Sequence, residues 1–219
     1  SVKNVWACTI RDNHVTSNGA GNYGVLLASV DCTEFVISGN FGNATRLTDA
    51  SDIFLQLLRC DRFLISNNKV AGYSQSAIRL NTCLDCEVLG NQLHDVGKLG
   101  TSYTAIFLTG VSLRNRVIGN KLHQSSASYA NNGVYEDASV DYTFATDNDF
   151  TSFSKPYTKV GANSVMRRIG YASSAPASGY YNVGDLVWNI GVAAGGSPGW
   201  VCTTAGNPAT FKAMAAIAA

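Results

Sequence analysis

Charge is scarce in this 219-residue chain: Asp, Glu, Lys and Arg together make up 14% of it, and the formal net charge is +1. The Lys and Arg are scattered, so there is no basic stripe for a phosphate backbone and no polybasic patch for anionic lipid, which argues against nucleic acid as a partner. Apolar runs long enough to span a bilayer are also missing, so no membrane insertion is expected, and "SVKNVWACTI" lacks the basic-then-apolar order of a secretory signal. Helix signals are thin as well. Gly, Asn, Ser and Thr recur throughout, and few stretches place apolar residues at helical spacing. Yet 46% of the residues are apolar, enough to bury a core, and the length suits one domain or one domain with a small appendage.

What the chain has in place of helices is a series of short alternating runs bounded by Gly or Asn, a pattern of strands and turns. The runs repeat. Aligned on a recurrent asparagine, Asn13, Asn40, Asn68, Asn91, Asn120 and Asn148 fall at intervals of 27, 28, 23, 29 and 28 residues. Three positions earlier stand Ile10, Ile37, Ile65, Val88, Val117 and Ala145, with Phe144 suggesting a one-residue slip at the last. Two positions later stand Val15, Gly42 (with Phe41 shifted), Val70, Leu93, Leu122 and Phe150. Self-similarity at this period signals stacked repeats, and strands in place of helices make each repeat a β-solenoid coil. An earlier strand recurs too, in "YGVLLAS", "DIFLQL", "SAIRLN", "TAIFLT" and "NGVYED". Three strands per coil predict an all-β, right-handed parallel β-helix. The asparagine is expected at a bend, where its short amide tolerates left-handed backbone angles and hydrogen-bonds to the equivalent amide one coil away.

The cysteines keep the same register, since Cys32, Cys60 and Cys83 each precede their asparagine by eight residues. Disulfides or a metal site are alternatives, but the one CxxC pair, Cys83–Cys86, has no second pair to complete a zinc site. Buried free thiols acting as small apolar residues fit better, and they point to folding in a reducing cytoplasm.

The coils are assigned to 1–165. The chain enters at "NVWACTIRDN" with no first strand ahead of it, which suggests the C-terminal part of a longer polypeptide. From 166 to 219 a linker, "YASSAPASG", leads into a small β-rich module in which apolar runs at 186–190 and 200–203 flank a Gly-rich turn, a hairpin pattern. The apolar tail "AMAAIAA" calls for a partner surface.

Asn-ladder coils followed by "GDLVWN" and "GGSPGWVCTTAG" resemble bacteriophage tailspike proteins. The resemblance implies a homotrimer of β-helices side by side, a C-terminal oligomerisation or receptor-contacting module, and a bacterial surface polysaccharide as partner, bound and depolymerised. It implies a place in the virion tail, reached after folding in the host cytoplasm. The other reading is a non-catalytic adhesive stalk and cap, with cleavage in missing coils. Pectate lyases and alginate epimerases share such a solenoid, but neither Asp-rich calcium clusters nor a Tyr-Val-Asp-His style motif is present. Metal spacings, P-loop, Gly-x-Ser-x-Gly elbow and HExxH are all lacking, so no metal and no cofactor is expected.

With no motif to carry over, chemistry is sought on outward positions. If Val25, Ile53, Ile78, Ile106 and Val134 point inward, then Leu26, Phe54, Arg79, Phe107 and Tyr135 point outward, followed by Ala28, Gln56, Asn81, Thr109 and Asp137. Phe54, Arg79, Asn81, Phe107 and Tyr135 suit a sugar, whose C–H faces stack on rings while its polar groups meet amides and a guanidinium. The alternative is packing against a neighbouring subunit. Glu136 follows Leu27, Leu55, Leu80 and Leu108 in an inward row. Buried, it would have the raised pKa of a general acid; if the solenoid ends there, it meets water. Asp137 and Asp141 are candidates to complete a carboxylate pair for glycoside hydrolysis. His94 and His123 should stack one strand apart beside Asp95, and either one suits the base of a lyase with Arg79 or Lys98 neutralising a uronate. A bland pair of surface histidines is the alternative, and His14 reads as surface.

Overall fold

The computed structural model describes residues 2–17, 27–44, 53–126 and 128–216, with only the backbone of residues 17, 27 and 28. The described chain contains no helix. It winds into a right-handed parallel β-helix whose three sheets run along the solenoid axis. The first sheet stacks Val2–Lys3, Leu27–Val30, Leu55–Leu58, Ile78–Asn81, Thr104–Thr109, Asn132–Glu136 and Lys155–Thr158. The second stacks Trp6–Arg11, Thr33–Ser38, Leu64–Ser66, Glu87–Leu89, Arg116–Ile118, Phe144–Thr146 and Val165–Met166. The third stacks His14–Ser17, Phe41–Ala44, Lys69–Ala71, Gln92–His94, Lys121–His123 and Asp149–Thr151. The short strand Val2–Lys3 precedes Trp6–Arg11, so the coil expected to enter at its second strand has a first-sheet strand ahead of it.

Each coil buries the inward half of its alternating strands. Ile37, Ile65, Val88, Val117 and Ala145 form one fully buried column, and Val70, Leu93 and Leu122 another. Phe35 stacks on Phe63 of the next coil with parallel rings 4.8 Å apart. The pairing places Ala145 opposite Val117 and Gly42 between Val15 and Val70, so neither expected slip exists; Phe144 and Phe41 point to solvent.

The asparagine ladder runs through the coils as a continuous hydrogen-bonded stack. The Asn91 side-chain oxygen accepts the backbone N–H of Asn68 at 3.0 Å and its Nδ2–H at 2.9 Å; the pattern is the same from Asn13 to Asn148. Tyr157 closes it, its hydroxyl accepting from Asn148 Nδ2 at 2.9 Å. The left-handed position of the corner lies one residue before the ladder, at Asp12, Gly39, Asn67, Gly90, Gly119 and Asp147, with φ between 54° and 68°. These are the residue types that tolerate that region at low cost, whereas the ladder asparagines need their amides aligned along the axis.

The corner between first and second sheets is fastened by ion pairs from coil to coil: Arg59 to Asp31, Arg62 to Glu34, Arg114 to Asp85 and Arg116 to Glu87. The paired guanidinium holds the carboxyls of Asp31 and Asp85 below the usual range. These pairs are exposed and screened, so they set register more than stability.

All six cysteines are free thiols, and five are buried. Cys32, Cys60, Cys83 and Cys86 each direct S–H to the carbonyl two residues earlier. The bond to Cys83, with burial, raises the Cys60 thiol. Cys83, pulled down by its bond to Cys60 and up by Cys86 and burial, is pushed up to about 12.

Beyond the coils, the predicted hairpin forms from Leu186–Asn189 and Gly199–Thr204, antiparallel. Thr210–Ala213 adds to one side and Ile169–Ala172, parallel, to the other, giving four strands. Asp185 ties this sheet down by accepting the backbone N–H groups of Arg168 and Asn182, both at 2.7 Å. Burial pushes its carboxyl up against those two bonds.

Candidate functional site

The outward row of the first sheet consists of Gln56, Arg79, Phe107, Tyr135 and Thr158, each in register with the next. Arg79 lays its guanidinium over Phe107, 5.4 Å from the ring centroid, and Phe107 meets Tyr135 edge to face at 5.5 Å. These three residues form the floor of a cleft of about 360 Å³. Its walls come from the segments that return the chain from third to first sheet, with Gln75 and Ser76 from one coil and Ser102 and Tyr103 from the next; Ile53, Thr104 and Asn132 also line it. The cleft thus combines aromatic faces, hydroxyls, amides and one cation, and among the described residues no carboxylate lines it.

Of the five residues expected on this face, Arg79, Phe107 and Tyr135 come together. Phe54 is a correction: it is fully buried. Leu55, not Ile53, pairs with Leu27 on one side and Ile78 on the other, so Gln56 takes the outward position and Phe54 falls ahead of the strand. Gly42 makes room for it inside; a Cβ there would stand 2.5 Å from the Phe54 ring. Asn81 lies two residues past Arg79, outside the cleft, its side-chain oxygen accepting from Thr82 Oγ1 at 3.1 Å. Val25 and Leu26 fall outside the described residues. Sequence reasoning missed Tyr103, Asn132, Gln75 and Ser102. The one available signal was the length of the return segment 95–103, which has room to fold back over the sheet.

Glu136 sits in register with Leu108, Leu80 and Leu57, as its apolar row required, though two residues along from the Leu55 expected there. It is fully buried and does not meet water. Its carboxylate accepts the backbone N–H groups of Val160 and Gly161, both at 3.1 Å, and Ser164 Oγ–H at 2.6 Å. A group enclosed by its own donors is a tie for the chain crossing the end of the core, with no face left for a polymer. Asp137 accepts from Thr109 Oγ1, from Gly110 N–H at 3.2 Å and from Ser139 N–H at 3.1 Å. Asp141 accepts from Asn163 through both backbone and side chain, the latter bond chiefly holding its carboxyl low. None of the three carboxylates lines the cleft.

His94 and His123 stack on the third sheet with ring centroids 4.6 Å apart and planes inclined by 16°. His94 Nδ1 is 3.2 Å from Asp95, whose oxygens also accept Ser125 N–H and Oγ–H. Half of the His94 side chain is open to solvent. Lys98 reaches over the Tyr129 ring at 5.9 Å, and neither residue lines the cleft with Arg79. His14 meets Phe41 edge on at the surface. Among the described residues no three His, Cys, Asp or Glu side chains are grouped to hold a metal ion, and no helix is long and apolar enough to cross a membrane.

No protein-family model matches the chain, and no curated protein matches it in sequence. Among solved structures it is similar to the A-module of the mannuronan C-5 epimerase AlgE4 from Azotobacter vinelandii, with a TM-score of 0.52 and 21% identity over 74% of this chain and 58% of that one. The AlgE6 A-module from the same organism gives a TM-score of 0.45 and 15% identity, over 74% of this chain and 55% of that one. The chain therefore spans less than two thirds of either module. What the likeness to the first establishes is the fold, a parallel β-helix.

Proposed function

We propose that the chain belongs to a tailspike-like protein that recognises and depolymerises bacterial surface polysaccharide, O-antigen or capsule, with the Arg79 cleft as its recognition site. One observation carries the reading: a guanidinium stacked on an aromatic floor, ringed by hydroxyls and amides, in a cleft of about 360 Å³ on the flat face of a solenoid. Sugars bind by laying C–H faces on rings and sharing hydroxyls with neutral polar groups, and the straight sheet suits a linear polymer. The β-helix fold and the terminal "GWVCTTAG" strand support the tailspike part of the reading. A homotrimer in the virion tail, folded first in the host cytoplasm, goes with it.

The adhesive alternative has its own supporting observation. Hydrolysis of a glycoside needs two carboxylates across the scissile bond, yet Glu136 is enclosed and none of the described residues lining the cleft is a carboxylate. A described base open to a polymer is then offered by His94, stacked on His123. Incubation with purified host polysaccharide, following chain length and the unsaturated-uronate absorbance together, separates the two. Shortening supports the enzyme, with new absorbance marking a lyase, and loss in His94→Gln or His123→Gln assigns the base. Binding without shortening leaves adhesion. Absence of binding removes the glycan reading altogether.

A further inference from the structure

We propose, resting on the glycan reading of the cleft, that it selects a sugar bearing a carboxylate, which Arg79 receives. The coil arginines 59, 62, 114 and 116 each meet a carboxylate of an adjacent coil. Arg79 meets none: its one ring partner is Phe107, and its Nε is buried without a hydrogen-bond partner among the described residues. A buried N–H left unsatisfied in a folded chain is costly, and a guanidinium is built to satisfy itself on a planar anion through parallel hydrogen bonds. The described residues around it include serine, threonine, tyrosine, glutamine and asparagine, and no acid among them neutralises the cation. Among the described residues the cation of the floor is therefore without a counter-charge in a partly enclosed space, where attraction for an anion is stronger than in open water.

Phe107 fixes the direction of approach. With one side of the guanidinium occupied by the ring, the edge that lines the cleft is the part left to bind, and Tyr135 beside Phe107 supplies the next surface for the same sugar. A carboxylate fits this edge by shape as well as charge, since its two oxygens match two N–H groups. Sulfate or phosphate substituents share the charge but present tetrahedral oxygens, and the test separates them.

The test uses an array of oligosaccharides containing galacturonate, glucuronate, mannuronate or N-acetylneuraminate, each beside its carboxyl-reduced counterpart, with sulfated and phosphorylated neutral oligosaccharides as a further arm. The expected result is binding to at least one carboxylated member, weakened about tenfold or more by carboxyl reduction. Because the ligand is altered and the protein is not, this arm is independent of how variants fold. Arg79→Gln should erase the difference between a member and its reduced form, while Arg79→Lys retains part of it. Equal binding of both forms by the unaltered protein overturns the carboxylate inference and leaves the glycan reading standing. Binding confined to the sulfated or phosphorylated arm overturns it too. Failure to bind any member overturns both.

Discussion

Asn91 carries five hydrogen bonds through one short amide, and its neighbours in the ladder have no substitute for it. Its side-chain oxygen satisfies two N–H groups of Asn68, and its Nδ2 donates to the carbonyls of Ile65 and Leu89 and to the side-chain oxygen of Asn120. Asn91→Ala strands these groups in the dry interior, at about 1–3 kcal/mol for each one left unmade. Urea unfolding should register a loss several times that of Lys121→Ala, on the surface of the next coil. Glu136→Leu makes the complementary case: it extends the apolar row but orphans Val160 N–H, Gly161 N–H and Ser164 Oγ–H. Stability should fall on the same scale, whereas binding to the Arg79 cleft should not change; a general acid would show the reverse. The thiols give a pH dependence. Cys83 titrates at about 12 in the fold against an ordinary 9.0, so its contribution is complete below pH 9 and lost as pH rises from there toward 12. Unfolding at pH 8 and pH 10.5 should show that loss, smaller in Cys83→Ala. The ladder was legible in the sequence because a period needs no coordinates. The left-handed angles one residue earlier were not, because Asp12, Gly39 and Asn67 share no identity, only a tolerance.

Within a single coil, Gly42 and Phe54 behave as one unit. The glycine leaves a hole in the third sheet's inward column, and the ring from the neighbouring return fills it. Gly42→Val places two methyl groups where the ring stands, and overpacking of this kind costs about 1–3 kcal/mol. Phe54→Leu in the same chain should recover part of the loss, and a double-mutant cycle by thermal unfolding would show positive coupling. That exchange also explains the misplaced Phe54. Hydrophobic alternation marks it as outward, but alternation cannot fix which apolar residue of "DIFLQL" pairs with the next coil; counted back from the ladder, Leu55 and Ile78 both stand 13 residues ahead of their asparagines, and the backbone pairing follows that count. The histidine stack was legible because His94 and His123 count from the same landmark on the same strand.

Taken whole, the molecule divides its conservatism unevenly. Between second and third sheets every turn has two residues: Asp12–Asn13, Gly39–Asn40, Asn67–Asn68, Gly90–Asn91, Gly119–Asn120 and Asp147–Asn148. Between third and first sheets the connections made wholly of described residues range from 152–154 to 95–103. The first corner is locked by the amide stack; the second is free to vary, and it walls the Arg79 cleft. Replacing 99–103 by a Gly-Ser segment of equal length should therefore leave the melting temperature nearly unchanged while reducing glycan affinity about tenfold, because Ser102 and Tyr103 contribute surface to the site and little to the core. The solenoid is thus a ruler with interchangeable fittings: its ladder edge keeps the count, and its opposite edge can be rewritten coil by coil, so a lineage of such chains could follow a changing polymer without ever renegotiating how it folds.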